Sequence, residues 1–102
     1  MAIKTGYTVY DHMRYNAEDI TITHFGCKDV QDAIRYCREN LCRNAEIKFG
    51  KYDDTRYNMK EVGPQKTIGV FKRIKRNNTV KYVFIVGKKR YPVEKDGTII
   101  LG

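Results

Sequence analysis

The alternation of apolar and polar residues predicts three strands in the first half of the chain. Residues 6–13 and 19–25 are rich in β-branched and aromatic side chains, and the second of these segments alternates with a period of two. A turn at 16–19 is expected to join them. Residues 45–52 form the third predicted strand, because their apolar positions alternate with charged ones.

A different spacing predicts the helix. Five apolar residues recur at helical intervals and would form a single stripe: Val30, Ala33, Ile34, Cys37 and Leu41. Asp29 is placed to cap the N-terminus, and Asp32 adds negative charge where the helix dipole is positive. Asn44 is a suitable stop signal. The pattern therefore predicts a helix over about 30–42.

The second half of the chain is predicted to form a loop followed by a hairpin. Residues 53–66 are polar and contain Gly63-Pro64, which predicts a loop whose inner part is extended. Residues 67–76 and 79–88 are predicted strands that flank Asn77-Asn78. Asparagine tolerates the left-handed conformation that tight hairpin turns require.

Two shorter features complete the predicted fold. Residues 80–86 are apolar on both faces, which favours a strand inside the sheet and part of the core. Residues 91–93 and 98–101 predict a last short hairpin, with Pro92 at an edge or bulge. The chain is thus expected to be an α+β protein, with a single helix packed on a mostly antiparallel β-sheet of five to seven strands.

Length and composition favour one folded domain over residues 1–102. Hydrophobic residues make up 41% of the chain, which argues against disorder. No apolar run approaches the ~20 residues of a membrane-spanning helix, and the N-terminus lacks the apolar core of a signal peptide. The three cysteines are an odd number, so a disulfide framework is not expected. These features predict a soluble, cytoplasmic protein with reduced thiols and no cofactor.

The positive charge is confined to the last third of the chain. The formal net charge is +8, yet residues 1–65 contain ten basic and ten acidic residues and are neutral. Residues 66–102 contain ten Lys or Arg against only Glu94 and Asp96. An excess restricted to one segment indicates a surface that meets an acidic partner.

The predicted hairpin carries the candidate binding residues. Its cations and aromatics are Lys72, Arg73, Lys75, Arg76, Lys81, Tyr82, Lys88, Lys89, Arg90 and Tyr91. A two-stranded ribbon fits a DNA major groove, where Arg and Lys reach guanine and phosphates. Tyr82, Tyr91 and Phe71 lie between the cations and, if exposed, would stack on unpaired bases. A solvated hairpin whose charge prevents edge aggregation is the alternative.

A metal site is a weaker candidate. His24 and Cys27 have the spacing of zinc ligands, and Cys37 and Cys42 follow. Zinc sites usually contain two close pairs of ligands. Cys37 instead falls in the apolar stripe of the predicted helix, where free cysteine behaves as a small hydrophobe. No metal is therefore expected.

Nuclease chemistry is a further alternative. The Glu46-Ile47-Lys48 segment has the acid–x–lysine spacing of metal-dependent nucleases, and Asp29, Asp32 or Asp53 would have to supply a second carboxylate. His12 and His24 are candidate acid–base groups for a metal-independent ribonuclease, although nothing in their spacing favours this over structural histidines. No phosphate-binding or dinucleotide-binding glycine motif and no nucleophile elbow is present. The chain is therefore predicted not to be an enzyme.

Tyrosines in the neutral half indicate a second kind of surface. Tyr and Arg are enriched at the energetic centres of protein interfaces. Arg14-Tyr15 and Arg56-Tyr57 are therefore candidates for protein contacts, although tyrosines also serve sheet edges. The N-terminal strand and residues 98–101 would be sheet edges, which allows a monomer or an edge-paired dimer.

The leading functional prediction is a small, basic, non-enzymatic module that binds nucleic acid through its C-terminal hairpin. The alternative is a protein-interaction factor, such as an inhibitor or accessory subunit of the kind that phages and mobile elements encode. Such a factor would use the same cations to occupy the acidic groove of a nucleic-acid enzyme. A small nuclease is the third hypothesis.

Overall fold

A single helix packs on a six-stranded antiparallel sheet in the computed structural model, which describes residues 2–55 and 59–99. The strand order is β2-β1-β3-β4-β5-β6, and every neighbouring pair is antiparallel. This confirms the predicted α+β fold. The elements are β1 (Ile3–Tyr15), β2 (Glu18–Cys27), α1 (Val30–Glu39), β3 (Asn44–Asp53), β4 (Lys60–Arg76), β5 (Thr79–Val86) and β6 (Lys89–Pro92).

The helix begins as predicted and ends three residues early. The carboxylate of Asp29 accepts a hydrogen bond from the backbone N–H of Asp32 at 2.7 Å, so this residue is the N-cap. At the other end Leu41 adopts a left-handed conformation with a φ of 52°, and the N–H of Cys42 donates to the carbonyl of Cys37. This turn ends the helix and directs the chain towards β3. Leu41 is consequently exposed and does not extend the buried stripe.

The second half of the predicted loop over 53–66 is a strand, and most of its predicted extended inner part, at 56–58, lies outside the described residues. β4 begins at Lys60, which pairs with Asp53, and runs for seventeen residues. Gly63 is accommodated within it at a φ of +74°, beside a register shift in the β3–β4 pairing. The Gln65 side chain donates to the carbonyl of Lys51 at 2.9 Å and bridges the irregularity.

Tight turns close the other hairpins. Asn77 and Asn78 have φ values of 48° and 65°, which identifies a type I′ turn and confirms the predicted reversal. Gly87 begins the next turn at a φ of +60°, so β5 ends at Val86 and not at residue 88. Beyond β6, the predicted last hairpin is reduced to one bridge between Val93 and Ile99. Residues 100 and 101 of that prediction lie outside the described residues.

The sheet edges differ from those predicted. β1 lies between β2 and β3, so the N-terminal strand is interior, and the edge strands are β2 and β6. β5 is paired on both sides, as its apolar sequence predicted. Pro92 ends the edge strand β6, a position where its missing N–H is tolerated.

The core lies between α1 and one face of the sheet, here called the covered face. Ala33, Ile34 and Cys37 of the helix are fully buried against side chains such as Val9 and Phe71. No helix of the described residues packs on the opposite side, here called the open face. Within those residues, no helix has the length and apolar character needed to cross a membrane.

Candidate nucleic-acid interface

The alternation of side chains along β4 divides the basic segment between the two faces. Phe71 is fully buried on the covered face, opposite Ala45 and Phe84. Because successive side chains of a strand point to opposite sides, Lys72 and Arg76 lie on the open face, and Arg73 and Lys75 lie on the covered face. Sequence proximity therefore does not bring all the candidate cations together.

Pairing between the strands assembles one group of cations on the open face. Lys81 lies opposite Ile74 on the neighbouring strand, and Arg90 of β6 lies opposite Ile85. With Lys72 and Arg76 they form what we call the open-face cations: Lys72, Arg76, Lys81 and Arg90. All four are exposed.

Half-buried aliphatic side chains form the floor between these cations. A shallow cavity of about 350 Å³ lies there, lined by Ile74, Arg76, Asn77, Thr79, Lys81, Val83 and Arg90. Apolar residues on both faces of β5 predicted a strand inside the sheet that belongs in part to the core. Tyr82 and Phe84 are buried on the covered face, whereas Val83 and Ile85 are only partly buried and no helix of the described residues covers them.

The other predicted cations point elsewhere. Arg73 and Lys75 lie on the covered face of β4, and Lys89 lies on the same face of β6. Lys88 belongs to the turn that follows Gly87. These side chains are exposed or half-buried, so they add to the positive field around the open-face cations without lying on the same face.

The open-face cations form no ion pair with an acid among the described residues. Between Glu61 and Glu94 the sequence has nine Lys or Arg and no acidic residue. The ion pairs among the described residues all lie before β4, where Lys4 pairs with Asp54 and Glu46 contacts His12 and Lys48. The open-face cations are thus available to an acidic partner.

The tip of the β4–β5 hairpin projects beyond the rest of the sheet. The pairing of β3 with β4 stops at Lys72, and the pairing of β6 with β5 stops at Val83. The segment from Ile74 to Lys81, here called the free ribbon, is therefore a two-stranded hairpin with no neighbouring strand on either side among the described residues. Its shape follows from the type I′ turn, whose twist matches that of the flanking strands.

Burial changes the role predicted for the aromatic residues. Tyr82 is only 9% exposed; its ring stacks on Phe71 and carries the Arg38 guanidinium 4.2 Å above its centroid. Tyr91 lies opposite Phe84 and packs against the core. Phe71 itself is completely buried. None of the three presents a free ring to stack on a base, so their predicted stacking role is not supported.

The residues of the predicted metal site are occupied in packing. The His24 ring stacks on Tyr36 with 3.9 Å between centroids, and all three cysteines are buried. Burial raises the pKa of Cys27 to about 11, and a hydrogen bond with Cys42 together with burial raises the pKa of Cys37 further. The described residues contain no group of three His, Cys, Asp or Glu placed to hold a metal ion.

The carboxylates of the predicted nuclease site are not brought together and have other partners. Asp29 caps the helix, and the Asp53 carboxylate accepts a hydrogen bond from the Thr55 hydroxyl. Glu46 lies on the open face, where one carboxylate oxygen is 2.8 Å from His12 Nε2. The other carboxylate oxygen is 3.9 Å from the ammonium of Lys48. No second carboxylate of the described residues joins this pair as a metal ligand.

One polar cluster was not predicted from the sequence. His12 Nδ1 lies 3.0 Å from the Thr21 hydroxyl, so the imidazole connects Thr21 on β2 with Glu46 on β3. Three separate strands contribute these groups, and only the strand order brings them together. Of the predicted protein-contact residues, Arg14 and Tyr15 are exposed beside the β1–β2 turn, and Arg56-Tyr57 lies outside the described residues.

The floor residues Ile74 and Val83, and the turn residue Asn77, were also missed. The sequence did contain a signal for Ile74 and Val83, because each lies two residues from an open-face cation on the same strand and therefore points to the same face.

Searches against models of known protein families, curated proteins and solved structures found no match.

Proposed function

We propose that this protein is a non-enzymatic module that binds nucleic acid through the open face of β4–β6. The observation that carries the proposal is the set of open-face cations around an apolar floor, in a stretch of chain without acids. Cations held on a rigid sheet attract a polyanion and release its condensed counterions on binding.

The salt dependence of binding follows from the number of cations. If all four open-face cations neutralise phosphates of duplex DNA, log K should fall with log salt at a slope of about −3.6. Affinity should then drop about a hundredfold between about 50 and about 200 mM salt. A fluorescence-anisotropy titration with labelled dsDNA, ssDNA and RNA at these two salt concentrations measures this.

Two variants of equal charge test whether the open face is the binding surface. The first replaces the open-face cations by glutamine, as K72Q/R76Q/K81Q/R90Q. The second removes four exposed lysines outside that set, as K66Q/K88Q/K89Q/K95Q. The first variant should lose most of the affinity and most of the salt slope, and the second should lose much less. Equal losses, or no binding of any nucleic acid by the unmodified protein, would overturn the proposal.

A second candidate is an acidic protein surface, such as the nucleic-acid groove of an enzyme that this chain would inhibit. The half-buried aliphatic side chains of Ile74 and Val83 between the cations favour it, since protein interfaces combine an apolar centre with a polar rim. Affinity capture from lysate before and after nuclease digestion separates the two functions. A protein retained after digestion supports this candidate, and one lost on digestion supports nucleic acid.

A further inference from the structure

We infer that the nucleic acid is double-stranded B-form DNA, and that the free ribbon lies in its major groove with the open face towards the bases. This inference rests on the proposed function and specifies the partner. Three observations carry it: where the aromatic rings of the basic strands lie, how the ribbon projects, and which side chains it presents.

The position of the aromatic rings argues against a single-stranded partner. β4, β5 and β6 together contain four aromatic residues, namely Phe71, Tyr82, Phe84 and Tyr91. Phe71 pairs with Phe84, Phe84 pairs with Tyr91, and Tyr82 stacks on Phe71, so all four lie on the covered face. Proteins that bind single strands without base pairing rely on exposed rings on which successive bases stack. The open face of these three strands has none.

The aromatic residues on the open face of the first three strands are not a substitute. Tyr52 of β3 is only 6% exposed, and its ring packs against that of Phe25. Tyr10 lies on β1, separated from β4 by the whole of β3, and it is half-buried. The ammonium of Lys48 lies 4.9 Å from the centroid of its ring and covers that face. Binding on the open face must therefore depend on charge and hydrogen bonds, which suits the regular phosphate rows of a duplex.

The shape of the free ribbon favours a B-form duplex. The major groove of B-DNA is about 12 Å wide and admits a two-stranded β-ribbon, whereas the major groove of A-form RNA is too deep and narrow for side chains to read. Because β3 and β6 stop before the tip, no neighbouring strand of the described residues would collide with the groove walls. A ribbon enclosed by strands on both sides would be confined to the outer surface of the duplex.

The side chains of the free ribbon match what the groove displays. Arg76 and Lys81 are exposed on its open face, and Asn77 lines the same cavity at the turn. Arg and Lys donate to the O6 and N7 acceptors of guanine, and Asn forms paired hydrogen bonds with adenine. Lys72 and Arg90 lie farther back on the same face, where they would meet the phosphates that border the groove.

The test compares three ligands of one sequence at one salt concentration: dsDNA, ssDNA and dsRNA. We expect the affinity for dsDNA to exceed that for each of the others at least about tenfold. A preference for ssDNA or dsRNA, or no preference among the three, would overturn the inference and leave the proposed function standing. Absence of binding to all three would remove both.

A competition experiment then examines the groove itself. The dsDNA complex is titrated with methyl green, which occupies the major groove, and separately with netropsin, which occupies the minor groove. Methyl green should displace the protein, and netropsin should displace it only at much higher concentration. The reverse order would exclude the major groove. The K66Q/K88Q/K89Q/K95Q variant, whose substitutions lie outside the free ribbon, should show the same order as the unmodified protein.

Discussion

On the covered face of β4–β6 four aromatic rings pack beneath the helix or beside it, whereas on the open face of the same strands four cations surround half-buried aliphatic side chains. The backbone is common to both faces, so the difference arises only from the alternation of side chains. One set of positions supplies the apolar burial that stabilises the fold. The intervening set is free to carry charge.

This division explains how a small sheet tolerates so dense a positive segment. Burying a charge without a partner is costly, and none of the open-face cations is buried. The first half of the sheet differs, because Glu46 on its open face contacts both His12 and Lys48. A segment that keeps its like charges together loses stability through their mutual repulsion.

The largest expected effect lies in the contrast between two residues of β4 on opposite faces. Phe71→Ala removes a fully buried ring and should lower the free energy of unfolding by about 3–5 kcal/mol. Ile74→Ala removes a half-buried side chain from the open face and should cost about 1 kcal/mol or less. Urea denaturation followed by circular dichroism measures both.

Equal losses from Phe71→Ala and Ile74→Ala would contradict the division into two faces. They would mean that the open face is itself buried, by a second copy or by part of the chain. Sedimentation of the unmodified protein over a range of concentrations is the control, because it shows whether the protein forms a dimer. A dimer would also make the unfolding midpoint depend on protein concentration.

The next effect tests how closely the covered face is packed. A Cβ added at Gly69 would lie 2.5 Å from Phe84 Cζ and 2.7 Å from the carbonyl oxygen of Ile85. Backbone cannot move aside as a side chain does, so Gly69→Ala should lower the free energy of unfolding by about 1–3 kcal/mol. Combining it with Phe84→Leu should cost less than the sum of the two, because the smaller side chain relieves part of the clash. A neutral Gly69→Ala, or strictly additive losses, would exclude this close approach.

Local signals in the sequence were sufficient for the elements that depend on neighbouring residues. The Asp29 cap and the Asn77-Asn78 turn are such cases, and the structure confirms both. The alternation along β4 and β5 likewise divided their side chains between two faces. These signals do not show which of the two faces the helix covers.

The mistaken predictions share that cause. Tyr82 and Val83 occupy adjacent positions, and only the placement of α1 makes the first a core residue and the second part of an open surface. Leu41 fits the helical spacing, yet the chain turns away before it because β3 must start beside β1. Gly63-Pro64 would end most strands, but a register shift in the β3–β4 pairing accommodates it. Each outcome depends on contacts between segments distant in sequence.

The smallest expected effect concerns the open-face cations themselves. K72Q/R76Q/K81Q/R90Q removes four exposed charges without ion-pair partners among the described residues, so the free energy of unfolding should change by no more than about 0.5 kcal/mol, towards greater stability if any. Removing like charges relieves their mutual repulsion, which is strongest at low salt. Urea midpoints at low and moderate salt measure this. A loss above about 2 kcal/mol would show that these cations support the fold, and a binding defect of the same variant would then reflect unfolding and not a lost interface.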